Sequence, residues 1–137
     1  MNDSARLLKL IMFMIALHSF CVGLALIFFP PELMQHFGFN QFHERFFTAQ
    51  GGVLHLVMSV SYVMAALKLE ETTVLIFFSV IAKFMATVFL FTYYFMIQGV
   101  WSVLFSGVGD GMMGCVILWA YLKYSKDRAE VLIRISD

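Results

Sequence analysis

Charge is scarce in this chain. Nine basic and nine acidic residues cancel, and together they make up 13% of 137 residues, against about 25% in soluble domains. A balance of zero gives no argument for nucleic acid or another polyanionic partner. Proline is confined to Pro30 and Pro31, and cysteine to Cys21 and Cys115. The cysteines form no CxxC pair and no metal-ligand spacing. Both fall in apolar runs and are expected to be small buried hydrophobes. HExxH, GxSxG, P-loop and dinucleotide fingerprints are all missing, which leaves no motif for a common enzyme class.

What is present is apolar. Hydrophobic residues account for 61% of the chain, with sixteen Phe and ten Met. A single water-soluble core of this size could not hide that surface, so a bilayer is the natural solvent. Four apolar segments, at 7–29, 46–67, 73–97 and 100–124, each approach the ~20 residues that span hydrocarbon. The predicted fold is an all-α, integral membrane four-helix bundle in one domain. The first segment is too long for a cleavable signal's apolar core, and no A-x-A-like site follows it. Pro30-Pro31 ends it.

Between the first two spans, Glu32, Gln35, Asn40, Gln41 and Glu44 alternate with Leu33, Met34, Phe37, Phe39 and Phe42. That mixture predicts a short interfacial segment, broken at Gly38, with His36 and His43 solvated. Lys68 to Glu71 forms a polar hairpin, and Gln98-Gly99 a shorter turn that forces antiparallel neighbours. Trp101, Tyr93, Tyr94, Tyr121 and Tyr124 fall near span ends, as an aromatic belt requires. Arg6, Lys9, Lys68, Lys123, Lys126, Arg128 and Arg134 share one side and Arg45 has the other, so both termini are expected in the cytoplasm, in a bacterial inner membrane. The tail after Arg128 is compatible with helix or strand.

Each span carries one ionisable residue near its midpoint: His18, His55, Lys83 and Asp110. A charge at the bilayer centre costs about 2.5–3.5 kcal/mol on insertion scales. Lys83 and Asp110 should therefore point inward and pair across the short turn. Gly107 and Gly111 make a GxxxG unit beside the carboxylate. Ser79, Lys83 and Thr87 form one polar stripe, which Tyr94 and Gln98 roughly extend. Thr48, His55, Ser59 and Tyr62 form another.

Three readings of this layer compete: a structural ion pair; His18 and His55 as axial ligands of a haem; and a proton or small-solute path. No resident cofactor or other metal is expected. Gln41, Glu44, Arg45 and Gln50 gather at the far end of the second span. There Arg45 either snorkels to headgroups or, with Gln50, docks a lipid or ligand headgroup.

Phe28-Phe29-Pro30 closes the first span, and Phe37-Gly38 lies in the connector. Arg45 precedes Gly51-Gly52, Lys83 is in the third span, and Asp110-Gly111 is in the fourth. On these residues the chain, over 23–124, resembles the small bacterial four-helix membrane proteins that include the DoxX-like proteins and related families of unknown function. Members more often carry arginine where this chain has Lys83, and lysine loses bidentate geometry. The resemblance implies the bundle. DoxX-type proteins are associated with quinone-linked sulfur oxidation, which makes a quinone the other cofactor class to consider. The leading functional expectation is a non-catalytic accessory subunit of a larger respiratory or photosynthetic assembly, in contact with lipid and with other membrane subunits or further copies of itself. The alternative is a quinone-linked or proton- and solute-handling protein that uses the His/Lys/Asp layer.

Overall fold

A computed structural model describes residues 3–39 and 45–136. Among them the chain is helical throughout: α1 (Asp3–Phe28), α2 (Pro31–His36), α3 (Phe46–Leu67), α4 (Thr73–Met96) and α5 (Trp101–Ser136). All but α2 are long and apolar enough to cross a membrane, and they form the integral membrane four-helix bundle. The two apolar runs at 46–67 and 73–97 become α3 and α4 almost residue for residue. The tail after Arg128 is neither a separate helix nor a strand; it continues α5.

Short turns set the topology. Lys68 to Thr72 reverses the chain between α3 and α4, held by the Lys68–Glu71 ion pair at 2.9 Å and by Thr72 Oγ1 donating to the Lys68 carbonyl at 2.6 Å. α1 packs chiefly on α3 and α4 chiefly on α5, and lighter α1–α5 and α3–α4 contacts close the ring. At the Lys68 end, Leu8, Met12, Ala65, Ile76 and Ile117 have no exposed area, and Tyr124 and Leu69 join the same core. Tyr124 is thus a core residue here rather than a member of an aromatic belt.

Glycine sets how closely the paired helices approach. A Cβ on Gly52 would lie 2.6 Å from Ile27 Cγ1 and 2.7 Å from the Gly23 carbonyl oxygen. On α5, a Cβ on Gly107 would meet the Phe91 ring at 2.8 Å, and one on Gly111 would touch Thr87 at 3.4 Å. Small residues are what membrane helices use for such contacts, because apolar burial drives no association in lipid. Cys21 and Cys115 are exposed on the outer faces, contrary to the expectation of burial. In lipid both faces of a helix are apolar, so an apolar neighbourhood in sequence does not report burial.

At the opposite end, α1 stops before Pro30. Arg45 Nη2 donates to the carbonyls of Ile27 at 3.1 Å and Phe29 at 3.0 Å, groups that lack partners at a helix C-terminus. Gly38, at φ 89°, takes the left-handed conformation that glycine adopts without a steric penalty, in the turn that follows α2. Phe29, Phe37 and Trp101 stack in series at 6.3 and 6.2 Å, and Ser102 Oγ donates to the Phe37 carbonyl at 2.6 Å.

These contacts predict a contrast between two glycines. Gly52→Ala should destabilise the bundle by about 1–3 kcal/mol, the usual cost of overpacking. Gly109→Ala has nothing within 4 Å of its new methyl and should be neutral or stabilising by up to ~1 kcal/mol. Thermal unfolding in detergent, followed by circular dichroism, checks both.

Candidate functional site

Lys83 lies near the middle of α4 and Asp110 nine residues into α5. Their side chains are 4% and 11% exposed, and Nζ and Oδ1 are 2.5 Å apart. Two features bring them together. The Gln98-Gly99 turn places the helices side by side. Gly114 lets the α4 backbone in: a Cβ there would sit 3.3 Å from Lys83 Cβ. The ammonium also lies 5.8 Å from the centroid of the Tyr62 ring on α3, a cation–π distance. Lys83 therefore joins three helices, and Tyr62, a member of the α3 stripe and only 2% exposed, is a partner of the ammonium that the stripe did not assign to it.

The hydroxyls of the α4 stripe do not turn to the ion pair. Ser79 Oγ donates to the Leu75 carbonyl at 2.7 Å and Thr87 Oγ1 to the Lys83 carbonyl at 2.9 Å. This is the i−4 back-bonding common to Ser and Thr in helices. Tyr94 is half-buried and Gln98 exposed, so the stripe faces the interior only near Lys83. On α3, Ser59 and Tyr62 are buried, and Thr48 and His55 are half-buried. Ser19 on α1 is enclosed at the same level, its hydroxyl close to that of Tyr62.

His18 and His55 both lie within electrostatic range of Lys83 and Asp110, and His55 also of His18. They differ in surroundings: His18 is exposed on the outside of α1, whereas His55 is half-buried. A porphyrin between α1 and α3 would need the two backbones held apart. Gly23 and Gly52, five and three residues away, bring those backbones into contact instead. Among the described residues no group of three or more His, Cys, Asp or Glu is placed to hold a metal ion.

Arg45 and Gln50 do not join this layer. Arg45 is ten residues before His55, about 15 Å along a helix, and its guanidinium caps α1. Gln50 is exposed. Gln41 and Glu44, expected beside Arg45, lie outside the described residues, as do Asn40 and His43. The capping role had a signal in the sequence: a helix stopped by Pro30 leaves carbonyls that need a donor.

The layer's chemistry is that of a carboxylate and an ammonium in mutual contact, with one partly accessible imidazole and several hydroxyls nearby. Such a group can hold a polar headgroup or pass a proton. The pair also makes an energetic prediction. Lys83→Met or Asp110→Asn alone leaves one buried charge unpaired and should cost about 3–5 kcal/mol. The double variant should be less destabilised than the sum of the two. A double-mutant cycle on detergent unfolding reads this coupling. In comparison with known proteins, no family model, no curated protein and no solved structure matches this chain.

Proposed function

We propose that this small integral membrane protein works through its mid-span polar layer, taking a proton, a small polar solute or the headgroup of a quinone into the surroundings of Lys83 and Asp110. The observation that supports the reading is the enclosed Lys83–Asp110 contact with His55 half-buried beside it. Stability is a poor reason to keep such a pair, because apolar residues of similar volume often serve as well or better. Ionisable groups at mid-membrane mark ion and substrate pathways far more often than their numbers warrant, and imidazole changes protonation near neutral pH. Kinship with the DoxX-like proteins, and with it the quinone, belongs to the same proposal. So does a bacterial inner membrane with both termini cytoplasmic, supported by Arg6, Lys9, Lys68 and Lys123 at one end against Arg45 at the other.

A second reading, the non-catalytic accessory subunit of a larger respiratory or photosynthetic assembly, is supported by the outer face of α4. Val74, Ile81, Met85, Val88 and Phe89 are 57–79% exposed there, a surface suited to lipid or to partner helices.

In proteoliposomes, the protein should dissipate an imposed pH gradient or retain extractable quinone. Asp110→Asn and Lys83→Met, each with native helix content, should reduce that activity about tenfold or more, the effect of losing a charge-assisted hydrogen bond. Full activity in both variants would reduce the layer to scaffolding. Purification in mild detergent addresses the second reading: constant elution of the chain alone removes the accessory role. Absence of a Soret band in the purified protein removes haem.

A further inference from the structure

The two halves of the bundle are built differently. Every member of the apolar core lies on the Lys68 side of the polar layer: on α1 up to Ala16, on α3 from Tyr62, on α4 up to Val80, and on α5 from Ile117. The centre of that half is closely packed, with five of its side chains wholly unexposed, and a recess lined by Lys9, Lys68, Glu71 and Tyr124 lies at its outer end. On the Arg45 side the close approaches at helical glycines run within the helix pairs. Gly23 meets Gly52 in the α1–α3 pair, and Gly107 and Gly111 receive Phe91 and Thr87 in the α4–α5 pair.

At the Arg45 end the connector 29–39 crosses from one pair to the other. It is anchored at its root by Arg45 through the Ile27 and Phe29 carbonyls. It reaches α5 through the Phe37–Trp101 stack, the Ser102–Phe37 hydrogen bond and the approach of Gly38 to Val100. This cover is thin: Phe37 is 39% exposed and Trp101 51%. Beneath it, Met34, Val100 and Val103 are buried outside the main core.

We propose that the Lys83–Asp110 layer is reached from the Arg45 end alone, and that the connector 29–39 is a strap that gates the way in. This rests on the layer being the working site and adds the side and the gate. Release of Phe37 from Trp101 opens a path between the α1–α3 and α4–α5 pairs. The Gly38 conformation supplies the hinge, and the Arg45 anchor keeps the strap's root in place. The apolar core blocks passage onward to the Lys68 side. A polar headgroup or water thus enters and leaves by the same mouth.

The test is thiol labelling of the full-length protein in proteoliposomes, with Cys21→Ala and Cys115→Ala as background. Ser59→Cys reports the layer and Ala65→Cys the closed core. Glu70→Cys and Gln98→Cys mark the two sides. The probe is a membrane-impermeant, cationic methanethiosulfonate. Ser59→Cys should react only from the side where Gln98→Cys reacts, and Ala65→Cys should stay unlabelled. Adding Phe37→Ala, which removes two ring contacts, should speed the reaction of Ser59→Cys about tenfold. Ser102→Ala should act in the same direction, which guards against a folding defect peculiar to the first variant.

Reaction from the Glu70 side, from both sides equally, or at a rate that neither strap variant changes would overturn the proposal. So would complete protection of Ser59→Cys in both strap variants. The labelling needs no activity, so its failure removes the gated route while the flux lost or kept in Asp110→Asn judges the layer separately.

Discussion

The meeting of one ammonium and one carboxylate in an apolar interior is the constraint on which the bundle depends. Neither Lys83 nor Asp110 can rotate outward without placing a bare charge in hydrocarbon. Their contact therefore fixes the rotation of α4 and α5 about their own axes, and with it which faces meet lipid. Tyr62 extends the constraint to α3 by offering its ring to the same ammonium. The glycines follow from this. Gly114 admits the Lys83 backbone, Gly111 seats Thr87 and Gly107 receives Phe91, so the small residues of α5 lie along the face that Asp110 must present.

Around this constraint the remaining surface is weakly specified, as lipid allows. Val74, Met96 and Phe95 are 74–80% exposed without penalty, because the surrounding solvent is as apolar as they are. Specificity comes from the few polar contacts and from close backbone approach. Arg45 makes one such polar contact at the far end. It answers the carbonyls that Pro30 strands and ties the start of α3 to the end of α1.

Much of this was legible in the sequence. Run length marked the four spanning helices, and the Gln98-Gly99 turn made α4 and α5 neighbours. Depth counting placed His18, His55, Lys83 and Asp110 at one level, and all four lie within electrostatic range in the fold. What depth cannot supply is the angle around each helix. The rotation that puts His18 outside and His55 partly inside depends on the Gly23–Gly52 contact, a pairing across 29 positions with no local signature. For the same reason Cys21 and Cys115 read as buried and are not. Arg45 reads as a snorkelling or headgroup-docking residue; its true partners are backbone carbonyls, which every residue carries, and only Pro30 hints at which of them need a donor.

Helix α5 runs unbroken from Trp101 to Ser136. At 1.5 Å per residue it measures about 54 Å, well beyond the ~30 Å of hydrocarbon. Asp110 and the charged turns around Lys126, Asp127 and Arg128 therefore belong to one stiff rod. A torque applied to its aqueous end arrives at the buried carboxylate with no intervening joint to absorb it.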